Sequence, residues 1–133
     1  MLYTYIFTIP ANTPKTSPVK KDVTLKHGVI RRIMVTIPAG HSGLAHMIIK
    51  WGETQIIPHA GDICGDDEKL EWEEYYEIIE DERTLTLVGW NEDVENDHSF
   101  IVRFEVLPRE IVYPHLYILE TLQKAFRRIR IPL

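Results

Sequence analysis

A chain of 133 residues fits one domain and leaves little room for two. Hydrophobic residues make up 44%, enough for a sizeable core and too many for an intrinsically disordered segment. The single cysteine, Cys64, excludes an internal disulfide, and no run approaches the roughly 18 apolar residues of a membrane span.

The net charge of −5 is unevenly spread. Residues 1–65 carry seven Lys/Arg against three Asp/Glu, and residues 66–133 carry eight against seventeen. Ten of residues 66–82 are acidic. Such a run reads as a solvated face, or as one half of a complementary pair of surfaces that steers copies together.

In chain order, Tyr3, Tyr5, Phe7 and Ile9 alternate with Leu2, Thr4, Ile6 and Thr8, which predicts a strand over 2–9 rather than a signal peptide. Residues 11–18 form a Pro- and Thr-rich connector. A short strand is expected over 21–26, closed by His27-Gly28. The next strand begins at Val29, with Arg31, Ile33, Val35 and Ile37 on one face and Ile30, Arg32, Met34 and Thr36 on the other. Residues 44–51 and 54–57 pair as a hairpin around Gly52-Glu53, and 58–67 is a loop. Residues 70–79 fit either a strand or a helix. Their aromatic and Ile content and their β neighbours favour the strand. Strands follow at 84–90 and 99–108.

The tail changes character. Pro114 suits a first helical position, and Ile118, Leu122, Ala125 and Ile129 recur at helical spacing. Lys124, Arg127 and Arg128 complement the dipole of the last turns. An amphipathic helix is expected over 115–129, followed by an arm, 130–133. The whole predicts a mostly β protein: a two-sheet antiparallel sandwich or jelly roll of about eight strands over 1–113, with the helix and arm over 114–133 packing on the body or on a neighbouring chain.

Catalytic constellations are missing. The acidic residues Asp62, Asp66 and Asp67 around Cys64 raise rather than lower a thiol pKa. The exposed Glu71, Glu73 and Glu77 lack environments that would separate two carboxyl pKa values. None of the six histidines falls in a metal-ligand motif, although His59 and Asp62 share a loop. Asn91, Asp93, Glu95 and Asp97 alternate like the start of a calcium loop, but Asn96 replaces the turn glycine and Val102 stands where a closing Glu belongs. Trp51, Trp72 and Trp90 suit a core or a sugar platform. Neither an enzyme, a cofactor nor a resident metal is expected. The basic tail residues are read as dipole complements and partner contacts rather than a nucleic-acid site.

Three features carry a resemblance. They are the TIPANTPKTSPV entry, the GVIRRIMVTIPAGHSGL stretch and the GWNEDVENDHSFIVRFEVLP close. Over about residues 8–108 the sequence resembles small β-sandwich, virion-associated proteins of tailed phages and related prokaryotic viruses. The resemblance implies a viral structural protein of the capsid decoration or connector kind, located in the virion and assembled in the host cytoplasm. Its partners would be further copies of itself, the major capsid protein or other virion proteins, with no membrane. The tail lies outside the resemblance, and Ile118, Leu122, Phe126, Arg127, Arg128 and Arg130 are the expected partner-binding residues. A carbohydrate- or ligand-binding module is the competing expectation.

Overall fold

A computed structural model of the chain describes residues 1–128; Ile129, the last residue of the expected helix, and the arm with Arg130 lie outside the described residues. Six strands form one antiparallel sheet: β1 (Leu2–Ile9), β2 (Val19–Ile37), β3 (Ala45–Trp51), β4 (Thr54–Ile57), β5 (Glu68–Asn91) and β6 (His98–Leu107). Two helices follow, α1 (Arg109–Val112) and α2 (Pro114–Arg128). The sheet order is β1-β6-β2-β5-β3-β4.

The mostly β, antiparallel expectation holds, and so does the helical tail. The strand count does not: among the described residues six strands in one sheet stand where about eight in two were expected. The difference lies in two mergers. Residues 21–26 and 29–37 belong to the single 19-residue β2, and 70–79 and 84–90 to the 24-residue β5. His27-Gly28 bends β2 without ending it. Gly28 has φ +148°, and a Cβ there would sit 2.8 Å from Val106 Cγ1 and 2.9 Å from the Leu107 carbonyl oxygen. Opposite this bend the register jumps from Lys26↔Glu82 to Gly28↔Ile78, so β5 bulges at 79–81 and pairing resumes on both sides.

A second irregularity falls between Ile30 and Arg32 and reassigns the faces of β2. Ile30 is fully buried with Ile33, Val35 and Ile37. Strict alternation had placed Ile30 on the opposite face. The bulge inserts Arg31 against β6, and one extra residue flips every side chain on one side of it.

The bends fold the sheet onto itself. One arm holds β1, β6 and the stretches 29–37 of β2 and 68–78 of β5. The other holds β3, β4 and the stretches 19–26 of β2 and 82–91 of β5. The core lies between them, with Phe7, Phe100 and Phe104 from one arm and Leu25, Met47 and Ile49 from the other. The open edge of β1 comes alongside 21–26 of β2, where side chains make the junction. Tyr5 Oη donates to the Thr24 carbonyl (3.0 Å), and Lys21 Nζ donates to that of Ile6 (2.9 Å). A lysine capping a strand edge also blocks pairing with a foreign strand.

Candidate functional site

Pro108 ends β6, and its carbonyl accepts from Ile111 and Val112 N–H (3.0 and 3.2 Å), opening α1. Tyr113, which precedes Pro114, has φ −123° and ψ 61°, a non-helical conformation of the kind proline imposes on its predecessor. The chain therefore breaks and restarts, with Pro114 as the first residue of α2. The break was not foreseen, because a four-residue helix leaves almost no periodicity in the sequence.

Arg109 ties both helices to the sheet. Its Nε lies 3.0 Å from Glu77 Oε1 on β5, and its two terminal nitrogens donate to Glu120 of α2 at 3.1 and 3.3 Å. That forked pair holds the Glu120 carboxyl below the usual carboxylate range. The rings of Tyr113 and Tyr75 approach to 6.0 Å beside it.

Beyond this tether α2 presents an uncovered apolar stripe. Ile118, Leu119 and Leu122 are 57%, 52% and 48% exposed, and α2 packs chiefly on α1. Of the expected partner-binding residues, Ile118 and Leu122 thus share one open face. Phe126, Arg127 and Arg128 belong to α2, but their side chains lie outside the described set, as Arg130 does entirely. Tyr75 and Ile79, on either side of Glu77 on the outer face of β5, are exposed as well, as is Ile111.

The acidic run is largely matched within the chain. Arg32 Nε lies 3.1 Å from Glu71 and 3.5 Å from Glu105, and Arg31 lies 3.7 Å from Glu73 and over the ring of Tyr75. Lys26 pairs with Glu82 at 2.8 Å. The half-exposed pairs of Arg31 and Arg32 add at most about 1 kcal/mol each. Together they cancel much of the local charge around Tyr75. Glu74 faces inward on β5, where His59 meets it at 3.5 Å.

The 91–98 loop does not gather oxygens for a cation. Asn91 is buried, and its Nδ2 donates to the carbonyls of Ile9 and Asn96. Asp93 Oδ1 accepts from the N–H groups of Glu95 and Asn96, and its Oδ2 lies 2.8 Å from His98 Nε2. These bonds pull the Asp93 pKa down to about 2. Asp97 accepts from Ala11 N–H, and Glu95 points to solvent. The alternation that resembled a calcium loop instead satisfies the backbone of a tight turn.

Trp90 is 7% exposed and packs with Ile48 and Val88, outside the main core. Trp51 and Trp72 pack half-buried against the core. Trp51 shares an open depression of about 350 Å³ with Tyr75 and Tyr76. His59 does not meet Asp62; His46 does, at 2.8 Å. Cys64 is held up by desolvation first and then by the Asp62 carboxylate.

No protein-family profile matches this sequence, and no curated protein matches it significantly. Among solved structures, hydroxypropylphosphonic acid epoxidase from S. wedmorenis aligns at 8% identity and TM-score 0.42, over 78% of this chain and 43% of the epoxidase. This chain therefore spans less than half the length of that enzyme. The Yersinia pseudotuberculosis-derived mitogen aligns at 15% identity and TM-score 0.42, over 80% and 86% of the two chains. The Burkholderia pseudomallei antigen and type I fimbria protein aligns at 6% identity and TM-score 0.45, over 79% and 99%.

Proposed function

We propose that this chain is a non-enzymatic assembly protein of a viral particle, a decoration or accessory coat component that docks on neighbouring subunits through α2. The observation that carries the docking role is the apolar stripe of Ile118, Leu119 and Leu122, held away from the core by the Arg109 tether. Isolated helices of this length are marginal in water, and the stripe gains little from its own body. Burying it against a neighbour would supply the missing packing. The neighbour favoured here is another copy of the same chain. Tyr75 and Ile79 offer a second exposed apolar face near the tether, so one copy supplies both sides of a head-to-tail contact. The viral setting rests on the resemblance of residues 8–108. The folded-over sheet would serve as a two-layered, jelly-roll-like body in that role.

Light scattering on the full chain and on an Ile118→Glu, Leu122→Glu double variant tests this reading. A multimer that falls to monomer in the variant supports it. A full chain that stays monomeric at high concentration and does not bind assembled coat shells overturns it.

The depression lined by Trp51, Tyr75 and Tyr76 favours a second reading, a carbohydrate-binding module, because flat aromatic faces suit sugar rings. A glycan panel that quenches tryptophan emission in the wild type and not in Trp51→Ala would establish it in place of the first.

A further inference from the structure

We propose that His46, Asp62 and Cys64 form a binding site for one divalent transition-metal ion of the zinc class, with Glu92 supporting the imidazole from behind. This inference stands independently of the assembly role.

Backbone register creates the site. Met47 and Ile63 exchange both backbone hydrogen bonds, Met47 N–H to the Ile63 carbonyl at 3.0 Å and Ile63 N–H to the Met47 carbonyl at 2.9 Å. In an antiparallel pair the residues flanking such an exchange stand directly opposite at the closer spacing, which sets His46 against Cys64. Met47 and Ile63 are buried in the core, so alternation turns His46, Asp62 and Cys64 to the other face. One donor atom from each of the three lies within 4.8 Å of the others.

The loop that carries two of the donors is anchored on both flanks. Gln55 Nε2 donates to the carbonyls of Pro58 and Gly61 at 2.6 and 2.9 Å. Gly43 N–H donates to the Gly65 carbonyl at 3.0 Å, and Asp66 accepts from the N–H groups of Gly40 and His41. The indole of Trp90 stacks on the His46 ring, 5.4 Å between centroids and 7° from parallel, which fixes the orientation of the imidazole.

The second observation is an unsatisfied atom. His46 Nδ1 lies 2.8 Å from Asp62 Oδ1, while Nε2 is buried and has no hydrogen-bond partner among the described residues. The charged group facing Nε2 is Glu92, 3.7 Å away. With the proton on Nδ1, Nε2 turns a bare lone pair toward a carboxylate. A metal on Nδ1 moves that proton to Nε2, where it points at Glu92. This is the carboxylate–histidine–metal arrangement that orients ligating imidazoles generally.

The chemistry of the donor set selects the ion. One nitrogen, one carboxylate oxygen and one sulfur suit a borderline-soft cation and exclude calcium and magnesium as preferred occupants. The Cys64 thiol, within 4.8 Å of the Asp62 carboxylate in the metal-free state, gives up its proton to solvent on binding. Thiolate and carboxylate then balance the two positive charges. The neutral imidazole keeps its proton, now on Nε2, so one proton is released per ion. Cys64 is exposed, so the ion has an open approach, and water completes the tetrahedron.

Cobalt(II) titration of the full chain, first stripped of metal with a chelator, is the test. The expected result is a cobalt–thiolate charge-transfer band that saturates at one equivalent and is displaced by zinc. Cys64→Ser should abolish the band, and His46→Ala should weaken binding by about tenfold or more. Glu92→Gln should weaken it within the roughly 10–100-fold range of outer-shell partners. Should His46→Ala disturb the Trp90 stack and misfold, Cys64→Ser at the exposed position still decides, read by zinc-dependent change in Tm. Absence of the band, saturation at half an equivalent, or unchanged affinity in a folded His46→Ala variant would overturn the proposal, since the last two mark binding by the thiol alone.

Discussion

Gly89 of β5 and Ile9 of β1 meet across the core from opposite arms of one sheet. A Cβ on Gly89 would stand 2.8 Å from Phe7 Cε2 and closer still to Ile9 Cδ1. The contact is where the folded sheet closes over its interior.

Gly89→Ala should therefore destabilise the protein, although alanine is the better residue for an ordinary strand. Both obstructing side chains are buried at 1% exposure or less and cannot swing aside. Overpacking of this kind costs about 1–3 kcal/mol. Urea unfolding followed by fluorescence would show a lower midpoint with an unchanged slope. A midpoint equal to the wild type would mean that the two arms are not in contact at this position.

Asn91→Ala should cost about 2–3 kcal/mol, more than an exposed loop asparagine would. Its side chain is buried, donates to two carbonyls and accepts from Asp93 N–H at 2.9 Å. Removal leaves those groups without a partner beside the Thr13 bridge that pins the 11–18 connector. Thermal unfolding measures the loss, and hydrogen exchange at Thr13 should accelerate in the same variant.

Acid stability should depend on Asp93. Its folded pKa is about 2 against 3.8 for an unperturbed group, because N–H donors of the turn and His98 favour the ionised form. A depressed carboxyl contributes stability that is complete above the unfolded value and lost as pH falls from 3.8 toward 2. Asp93→Asn should flatten the stability profile across that window and lower stability at neutral pH. An unchanged slope in calorimetric scans between those values would contradict the assignment.

His41 should act in a different window. Its ring is buried beside His98, and Nε2 lies 2.8 Å from the Ser99 carbonyl, with desolvation holding its pKa below 6.5. A base with a lowered folded pKa contributes stability that is fully present above 6.5 and declines as pH drops below it. His41→Phe should remove this slope while costing about 1 kcal/mol at pH 8 through the lost hydrogen bond. Chemical denaturation at several pH values resolves the two effects.

At concentrations where both are monomeric, Ile118→Glu with Leu122→Glu should leave the folding free energy within about 0.5 kcal/mol of the wild type, since exposed positions away from special features rarely matter more. Ile33→Ala, in the core at 0% exposure, should cost about 2–5 kcal/mol. Parallel thermal melts of the two variants would separate a face kept for a partner from one buried within the chain.

Local pattern determined much of this molecule. The period-2 run at 2–9 is β1 at the same limits, the hairpin around Gly52-Glu53 is β3 and β4, and helical spacing after Pro114 is α2. The ambiguous 70–79 is strand, because β2 supplies a backbone partner along it and arginines opposite its glutamates. β1, the hairpin and α2 each depend on residues within a few positions of one another, so composition and spacing were sufficient for them, whereas 70–79 needed its distant partner. Tertiary structure alone decided the rest. Whether His27-Gly28 is a turn or a bend depends on Val106 and Leu107, nearly eighty positions away. The face of Ile30 depends on a bulge set by pairing with β6. His46, Asp62 and Cys64 meet because Met47 pairs with Ile63, a register no local spacing encodes. Alternation tells which residues share a face; only the closing of distant strands tells which faces meet.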